Sequence, residues 1–478
     1  MALRDFMMLE LVLWEGNEVK QNKDILLAKA NLVLKEAEVQ GASQAQAVLT
    51  LTRMGLTRLA NSIIDQNVSE LHAKVRVLLY FGQKSGSVEF EVFEDDAIKN
   101  AVKQAVSLAK ISPENTDFKS LPTKRNYPSS FDLDGLVCKE TYDTSPELRA
   151  EYASAAIDMA HGVDKRIAAI AGIVQNISTE RVVTNSLGVE GYEMRTRATT
   201  QLTIMARDGS EETAGWCADA RRDVRDLLVE DVARVAAQKA VDGFGMKDLS
   251  PGEYEVILEP AAAAGLVFYT TMLGFGARRH QEFMSFLRDR MGEQVFSDKL
   301  SVSDNALDQR LVAASLFDDE GVPHQKVNLI DKGVVKNLVY DTMTATKDGV
   351  ESTGNHAKWW GPAEPIARHV VAEEGNSSID DMISETKKGV LVTHFHYMNP
   401  VNPTQGVLTA LTRDGTWFVE DGEVKYPLRT LRFTDAIPRF FNDIEMVGKY
   451  SKFQSSPPMG LVPGLKLPSF RFSGSSKE

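Results

Sequence analysis

Helical spacing comes first along the chain. In NKDILLAKANLVLKEAEVQG apolar residues recur at Leu26, Ala30, Val33 and Ala37, with Ile25 and Leu32 beside them and Gly41 as a C-cap candidate. The period then shortens to two. AVLTLTRMGLTRLANSIIDQNVSE, HAKVRVLLYFG and SVEFEVFE alternate apolar and polar positions, punctuated by Asn67, Gly82 and Gly86, which predicts an antiparallel meander. DDAIKNAVKQAVSLAKI predicts a second helix, with acids at its start and Lys at its end to suit the helix dipole. Ser145-Pro146-Glu147 supplies N-cap and first-turn signals for a third helix, running to about His161. Strands are predicted in RIAAIAGIVQNIST, ERVVTNSLG, VEGYEMRTRATTQLTIMARDG and EETAGWCAD, then a helix from about Val224 to Val241 closed by Asp242-Gly243.

The pattern changes again in the second half. A strand, GEYEVILEP, leads into PAAAAGLVFYTTMLGFGA, which carries no charge from Pro260 to Ala277, and then into a charged helix through HQEFMSFLRDRMG. Beyond that point strands and turns dominate. Hairpins are predicted at Lys332-Gly333, Asp414-Gly415 and Asp421-Gly422, a helix around AIPRFFNDIEMVG, and a closing strand LKLPSFRFSG. The polar, proline-bearing stretch 112–144 reads as a linker or a long crossing loop. The expected fold class is therefore α+β. Residues 1–245 form an N-terminal domain of antiparallel sheet and helices, and 246–478 a β-barrel or sandwich-like domain with a buried helix.

Composition narrows the function classes. With 67 acids against 54 bases in 478 residues the net charge is −13, and no Lys/Arg run marks a basic face, so nucleic acid is not expected as a partner. The uncharged 260–277 segment reaches the minimum length of a membrane span, but it is rich in Ala, Gly and Thr and runs into Arg278-Arg279. A buried helix is expected there, with no membrane association. MALRDFMMLELVLW, interrupted by Arg4, Asp5 and Glu10, lacks the layout of a signal peptide. Two cysteines, Cys138 and Cys217, far apart in sequence, make neither a CxxC pair nor a disulfide framework. A cytoplasmic location is expected.

Common chemical signatures are missing: GxGxxG, GxxxxGK[ST], GxSxG and HExxH do not occur. His394-Phe395-His396 could present two imidazoles on one strand face, with His280, Glu282, His324 or His356 as a third ligand by type. Two unliganded strand histidines are the plainer reading. Asp318-Asp319-Glu320-Gly321 could be an acid/base pair or a cation loop, although such runs are more often solvated turns. Trp359-Trp360 could stack a ligand or simply pack a loop.

In order along the chain, SFLRDRMGEQVFSDKLSVSDN, FDDEGVPHQKVNLIDKGVVKNLVYD, ESTGN, LTRDGTWFVEDGEV and DIEMVGKY…GLKLPSFRFSG resemble the TldD/PmbA family, also called the modulator-of-DNA-gyrase or U62 peptidase family. The resemblance implies a metallopeptidase scaffold whose catalytic members carry HExxxH on the helix after the strand ending at Glu259, with a cysteine near the C-terminus as third zinc ligand. Those positions fall here on Tyr269, Thr270 and Gly274, and the cysteine near Ser455-Ser456. The chain thus resembles the PmbA/TldE kind of subunit, for which no cofactor is expected in this chain and zinc resides in a catalytic paralogue. The resemblance implies pairing with an HExxxH-bearing paralogue, or with a second copy, around unfolded peptide. Ser352, Thr353, Gly354, Asn355 and His396 are the candidate peptide contacts, on exposed strand edges. Two other readings compete: an independent hydrolase with a relocated site built from His394, His396 and His280 or from the Asp318–Glu320 loop, and a non-enzymatic regulatory binding protein.

Overall fold

A computed structural model describes residues 22–358, 361–449 and 460–475. Helix α1 (Lys23–Val39) precedes β1 (Gln44–Ala60), β2 (Ile63–Phe81), β3 (Lys84–Phe90) and helix α2 (Asp95–Ile111). Helix α3 (Pro146–Val163) is followed by β4 (Ile167–Asn185), β5 (Glu190–Asp208), β6 (Glu211–Arg221) and helix α4 (Val229–Asp242). The six strands pair antiparallel in the order β3-β2-β1-β4-β5-β6.

The four helices cover one face of this sheet. Leu26, Ala30, Val33 and Ala37 of α1 meet Leu49 and Leu51 of β1 and Val182 of β4, whereas α3 and α4 meet Leu59, Ile170 and Val174. Within each strand these residues share a parity, so they point to one side. Alanine and glycine set the close spacing: a Cβ on Gly86 would stand 1.9 Å from the Ala105 carbonyl of α2. Helix α3 starts as its sequence predicts, with Ser145 Oγ accepting from Leu148 N at 3.2 Å and Pro146 in the first turn.

From Gly252 the chain builds β7 (Gly252–Leu258), helix α5 (Pro260–Gly274), β8 (Val302–Asp304), β9 (Val327–Asp331) and β10 (Val334–Val335). Helix α6 (Thr342–Asp348), the small pair β11 (His356–Ala357) and β12 (Glu364–Pro365), and β13 (Val370–Ala372) follow. The remainder is β14 (Lys388–Asn402), β15 (Val407–Glu420), β16 (Glu423–Pro427), β17 (Leu431–Ala436), β18 (Met446–Val447), β19 (Gly460–Leu461), β20 (Leu465–Phe472) and β21 (Gly474–Ser475). One sheet runs β18-β20-β7-β14-β15-β17-β21 with β16 on β15; the other runs β10-β9-β8-β13-β19. The larger sheet curls until Phe433 of β17 and Phe470 of β20 meet at 5.0 Å. Helix α5 lies in the core shared by both sheets, with 12 of its 15 residues buried. An α+β fold with a β-rich second half around a buried helix is what the pattern of the chain predicts. No helix among the described residues is long and apolar enough to cross a membrane.

Several local expectations are corrected. Asn67 and Gly86 lie inside β2 and β3; the first hairpin turns at Asn61-Ser62, whose φ angles are 52° and 62°. Asp414-Gly415 is a bulge within β15, at the register shift opposite Thr393, while Lys332-Gly333 and Asp421-Gly422 are turns. The helix expected through HQEFMSFLRDRMG ends at Gln281, because Phe283 and Asp289 take φ of 62°. Around AIPRFFNDIEMVG only Ile437–Phe440 is helical. Residues 112–144 are no bare linker. They cross between the two halves and bury Phe118, Leu121 and Leu136.

Candidate functional site at the interface of the two halves

Helix α5 carries the three positions at which catalytic relatives were expected to hold their ligands. Tyr269 Oη donates to the Met398 carbonyl of β14 at 2.6 Å, and burial raises its pKa. Thr270 Oγ1 donates to the Leu266 carbonyl one turn back, at 2.8 Å. At Gly274 a Cβ would stand 2.7 Å from Leu287 Cδ1 and 3.0 Å from the Phe286 ring. The Gly274 carbonyl is held by Ser285 Oγ at 2.8 Å and by the His280 ring at 2.7 Å, which ties the following loop onto the helix end. A committed phenol, a hydroxyl turned to its own helix and a missing side chain do not fit a zinc ion. Ser455-Ser456 and Trp359-Trp360 lie outside the described residues.

The acidic run is neither a solvated turn nor an open cation loop. Asp318 is fully buried, its Oδ1 accepting from Glu320 N and Val322 N at 2.9 Å each and its Oδ2 from His356 N at 2.9 Å. Burial, and then the Glu320 charge, push its pKa up to about 7. Asp341 caps α6 through Thr344 N at 2.8 Å and faces His356 Nδ1 at 3.1 Å. Burial works against the charged His356 ring, but Glu320, Asp341 and Asp318 outweigh it and carry the pKa to about 9. Asp319 turns the other way, to Arg181 Nη1 at 2.7 Å. Burial opposes its ionisation, yet Arg368, Arg181 and Arg76 hold its pKa below the ordinary carboxylate range.

Arg181 and Glu193 face each other across β4 and β5, on the sheet side away from the helices, at 2.8 Å. Glu193 also accepts from Ser315 Oγ at 3.0 Å and Leu316 N at 2.9 Å. Around these charges Val48 and Val183 of the first sheet pack on Leu316 and Phe317 of the second half. Sequence reasoning missed Arg181, Glu193, Arg195 and Arg368. A signal existed: in YEMRTRA the charged residues Glu193, Arg195 and Arg197 fall at every second position, which places three charges on one strand face.

Ser352–Asn355, expected on an open edge, is internal. Ser352 Oγ donates to the Tyr340 carbonyl at 3.2 Å, and Asn355 Nδ2 donates to Asp304 Oδ2 at 2.6 Å. Thr353 N and Thr353 Oγ1 also donate to the Tyr340 carbonyl, at 3.2 and 3.1 Å. Gly354 has φ 74°, and a Cβ there would reach 2.4 Å from the Pro323 carbonyl, so only glycine fits. His396 lies on β14 beyond Val392, where β14 pairs with β15 and, among the described residues, with no strand on its other side. That edge is open.

His394, His396 and His280 do not converge. The His394 ring lies tilted against Trp216 of β6, centroids 4.3 Å apart, and burial, aided by Lys239, His396 and Arg413, lowers its pKa to about 3. His280 is at the far end of α5, on the Gly274 carbonyl. Among the described residues, the group of three His, Cys, Asp or Glu donors within 4.8 Å of one another is Cys138, Glu140 and Asp223. Arg225 already binds both of those carboxylates, at 2.9 and 2.5 Å.

Two cavities flank α5. One, of about 300 Å³, lies between the helix-free face of the first sheet and the second half, with Phe268 on its wall. The other, of about 460 Å³, adjoins Tyr269 and is bounded by Arg278, Arg279, Glu364 and Pro400. The scaffold therefore presents hollow space on both sides of α5, next to an open strand edge and beside a buried ionic seam.

Residues 139–244 match the PmbA/TldA metallopeptidase central domain and residues 251–476 the PmbA/TldA metallopeptidase C-terminal domain. An uncharacterised protein of Methanocaldococcus jannaschii is 27% identical over 378 residues, 77% of this chain and 84% of that one. A metalloprotease PmbA homologue of Haemophilus influenzae is 25% identical over 413 residues, 86% of this chain and 88% of its own length. The solved structure of TldE from Thermococcus kodakarensis has a similar fold, with TM-score 0.85 at 24% identity over 93% of this chain and 100% of that one. With both domains matched in order over most of its length, the chain belongs to the PmbA/TldD metallopeptidase family.

Proposed function

We propose that this chain is the non-catalytic, peptide-holding subunit of a dimeric cytosolic proteolytic assembly whose zinc is carried by an HExxxH-bearing paralogue. The observation that carries this reading is the set of bonds at Tyr269, Thr270 and Gly274, which use the helix for packing where catalysis would need ligands. The exposed end of β14 at 399–401, which no described strand pairs on its other side, supports a role for this subunit in gripping extended peptide. Unsatisfied main-chain donors and acceptors on such an edge bind a peptide backbone with little regard to its sequence.

Size-exclusion chromatography of the chain mixed with its paralogue, followed by an unfolded-peptide cleavage assay, tests the reading. Co-elution is expected, with cleavage only when the paralogue is present. Zinc-dependent cleavage by this chain alone, with close to one zinc per chain, would overturn it.

A further inference from the structure

We propose that the cavity of about 460 Å³ beside Tyr269 takes one apolar side chain of an extended peptide lying along the end of β14. This assignment rests on the peptide-holding reading and names the class of peptide that the subunit would prefer.

The argument starts from what the strand end lacks. Asn399 and Pro400 form part of the cavity rim, within the exposed stretch 399–401 of β14. Three residues, one of them a proline without an N–H, offer a peptide backbone few hydrogen bonds. In strand addition the main chain supplies grip and a pocket for an alternate side chain supplies the rest. A short edge therefore needs its pocket, and this cavity lies at the right place to be one.

The wall decides which side chain fits. Its charged residues balance and pair with one another, Arg278 Nε with Glu282 at 2.8 Å and Arg279 Nη2 with Glu364 at 2.8 Å. Tyr269 Oη is committed to the Met398 carbonyl at 2.6 Å, and Asn399 Nδ2 donates to the Tyr397 carbonyl at 3.0 Å. No surplus charge is left to draw in a charged side chain, and burying one without a partner is costly. Met272, Leu273, Met284 and Ile366 make the remaining wall apolar. Met284 is half exposed, and Tyr397 and Val401 are exposed, so apolar surface continues from the cavity along the strand end. A run of exposed apolar side chains of this kind marks a contact site. Methionine is unbranched and adaptable, so the cavity would accept leucine, phenylalanine or methionine alike. Selection by apolar class suits a subunit that holds unfolded peptide, in which such side chains are exposed.

Fluorescence anisotropy with labelled, serine- and glycine-rich peptides that differ in one central residue tests the assignment on the wild-type chain. Leucine and phenylalanine peptides are expected to bind about tenfold more tightly than the alanine peptide, with aspartate and lysine peptides no better than alanine. High salt should leave that preference in place. Met284→Trp, at a half-exposed position, narrows the mouth and should bring the leucine and phenylalanine peptides down to the alanine level. A peptide carrying benzoylphenylalanine at the varied position should, on irradiation with the wild-type chain, label Met272 or Met284, read by peptide mapping. That readout stands even if the variant folds poorly. Equal binding of leucine, alanine and aspartate peptides, or labelling only outside the cavity, would overturn the pocket and leave the peptide-holding reading intact. A wild-type chain that self-associates and turns monomeric in Met284→Trp would assign the cavity to a second copy and overturn the pocket likewise. Binding of no peptide would overturn both.

Discussion

His356 sits among three carboxylates, with Asp341 at 3.1 Å, Glu320 at 3.8 Å and Asp318 bonded to its backbone N–H. Its pKa rises from the ordinary 6.5 to about 9: burial pulls it down, and the Glu320, Asp341 and Asp318 charges outweigh that. The folded state therefore holds the proton more tightly than the unfolded chain. The resulting stabilisation is fully present below pH 6.5 and is lost as pH rises through about 9. Asp318, raised to about 7, works in the same direction in a lower window, between its ordinary 3.8 and that value. Urea midpoints measured from pH 6.5 to 9 should fall by an amount on the order of 2 kcal/mol in stability, and His356→Gln should flatten that slope. An unchanged slope in the variant would place the titration elsewhere. At this scale a sequence shows that acids are clustered but not whether they are buried. DDEG reads as a surface turn until Arg181, contributed by a strand 138 residues away, is seen against Asp319.

Among elements, α1, α2 and α3 were legible because a single apolar stripe on each meets a single sheet face. The stretch after Gln281 was not. Phe283, Phe286 and Leu287 have helical spacing, but Arg288 stacks on the Phe283 ring at 3.5 Å and Phe283 adopts a left-handed backbone, so the segment folds back to cap α5. Tertiary contact overrides local period there. The candidate site was legible only as a loss of ligands on α5; the arginines around it were hidden, since alternating charges on a strand also describe an ordinary wet face. Helix α5 gives the sharpest test. Tyr269→His with Thr270→Glu and Gly274→His rebuilds HExxxH, yet the imidazole at 274 must displace Leu287 and Phe286, and the bond to Met398 is lost. Overpacking of this kind costs about 1–3 kcal/mol. A less stable protein without metal-dependent peptidase activity is expected, read by thermal melting and peptide cleavage. Recovered cleavage would mean that the rest of a catalytic site has survived around the helix.

For the whole molecule, the contacts between the halves are too many and too dispersed for either half to open alone. Arg181 joins Glu193 to Asp319, Tyr127 Oη donates to the Gly321 carbonyl at 3.1 Å, and Arg222 Nη2 donates to the Gln309 and Leu311 carbonyls at 2.9 Å. At the far end Lys239 pairs with Glu259 at 2.7 Å, and Trp216 lies on His394. Apolar contact links these points: Leu136, from the crossing segment, is buried with Leu311, Ala314, Val371 and Leu461, and Phe317 is buried against Val48 and Val183. Separating the halves would strip Arg181 from Asp319, and Ser315 Oγ and Leu316 N from the fully buried Glu193, each an expensive loss for a charge arranged only for those partners. Cooperative unfolding of the entire chain follows from this. In urea, variants retaining only Trp216, in the first sheet, or only Trp417, in the second half, should report coincident midpoints. Phe317→Ala, which empties a buried ring from the seam, should lower both midpoints together and cost about 3–5 kcal/mol. Midpoints that part in either protein would show that the seam is a contact between independently stable domains, and that a paralogue could then bind by displacing one half from the other.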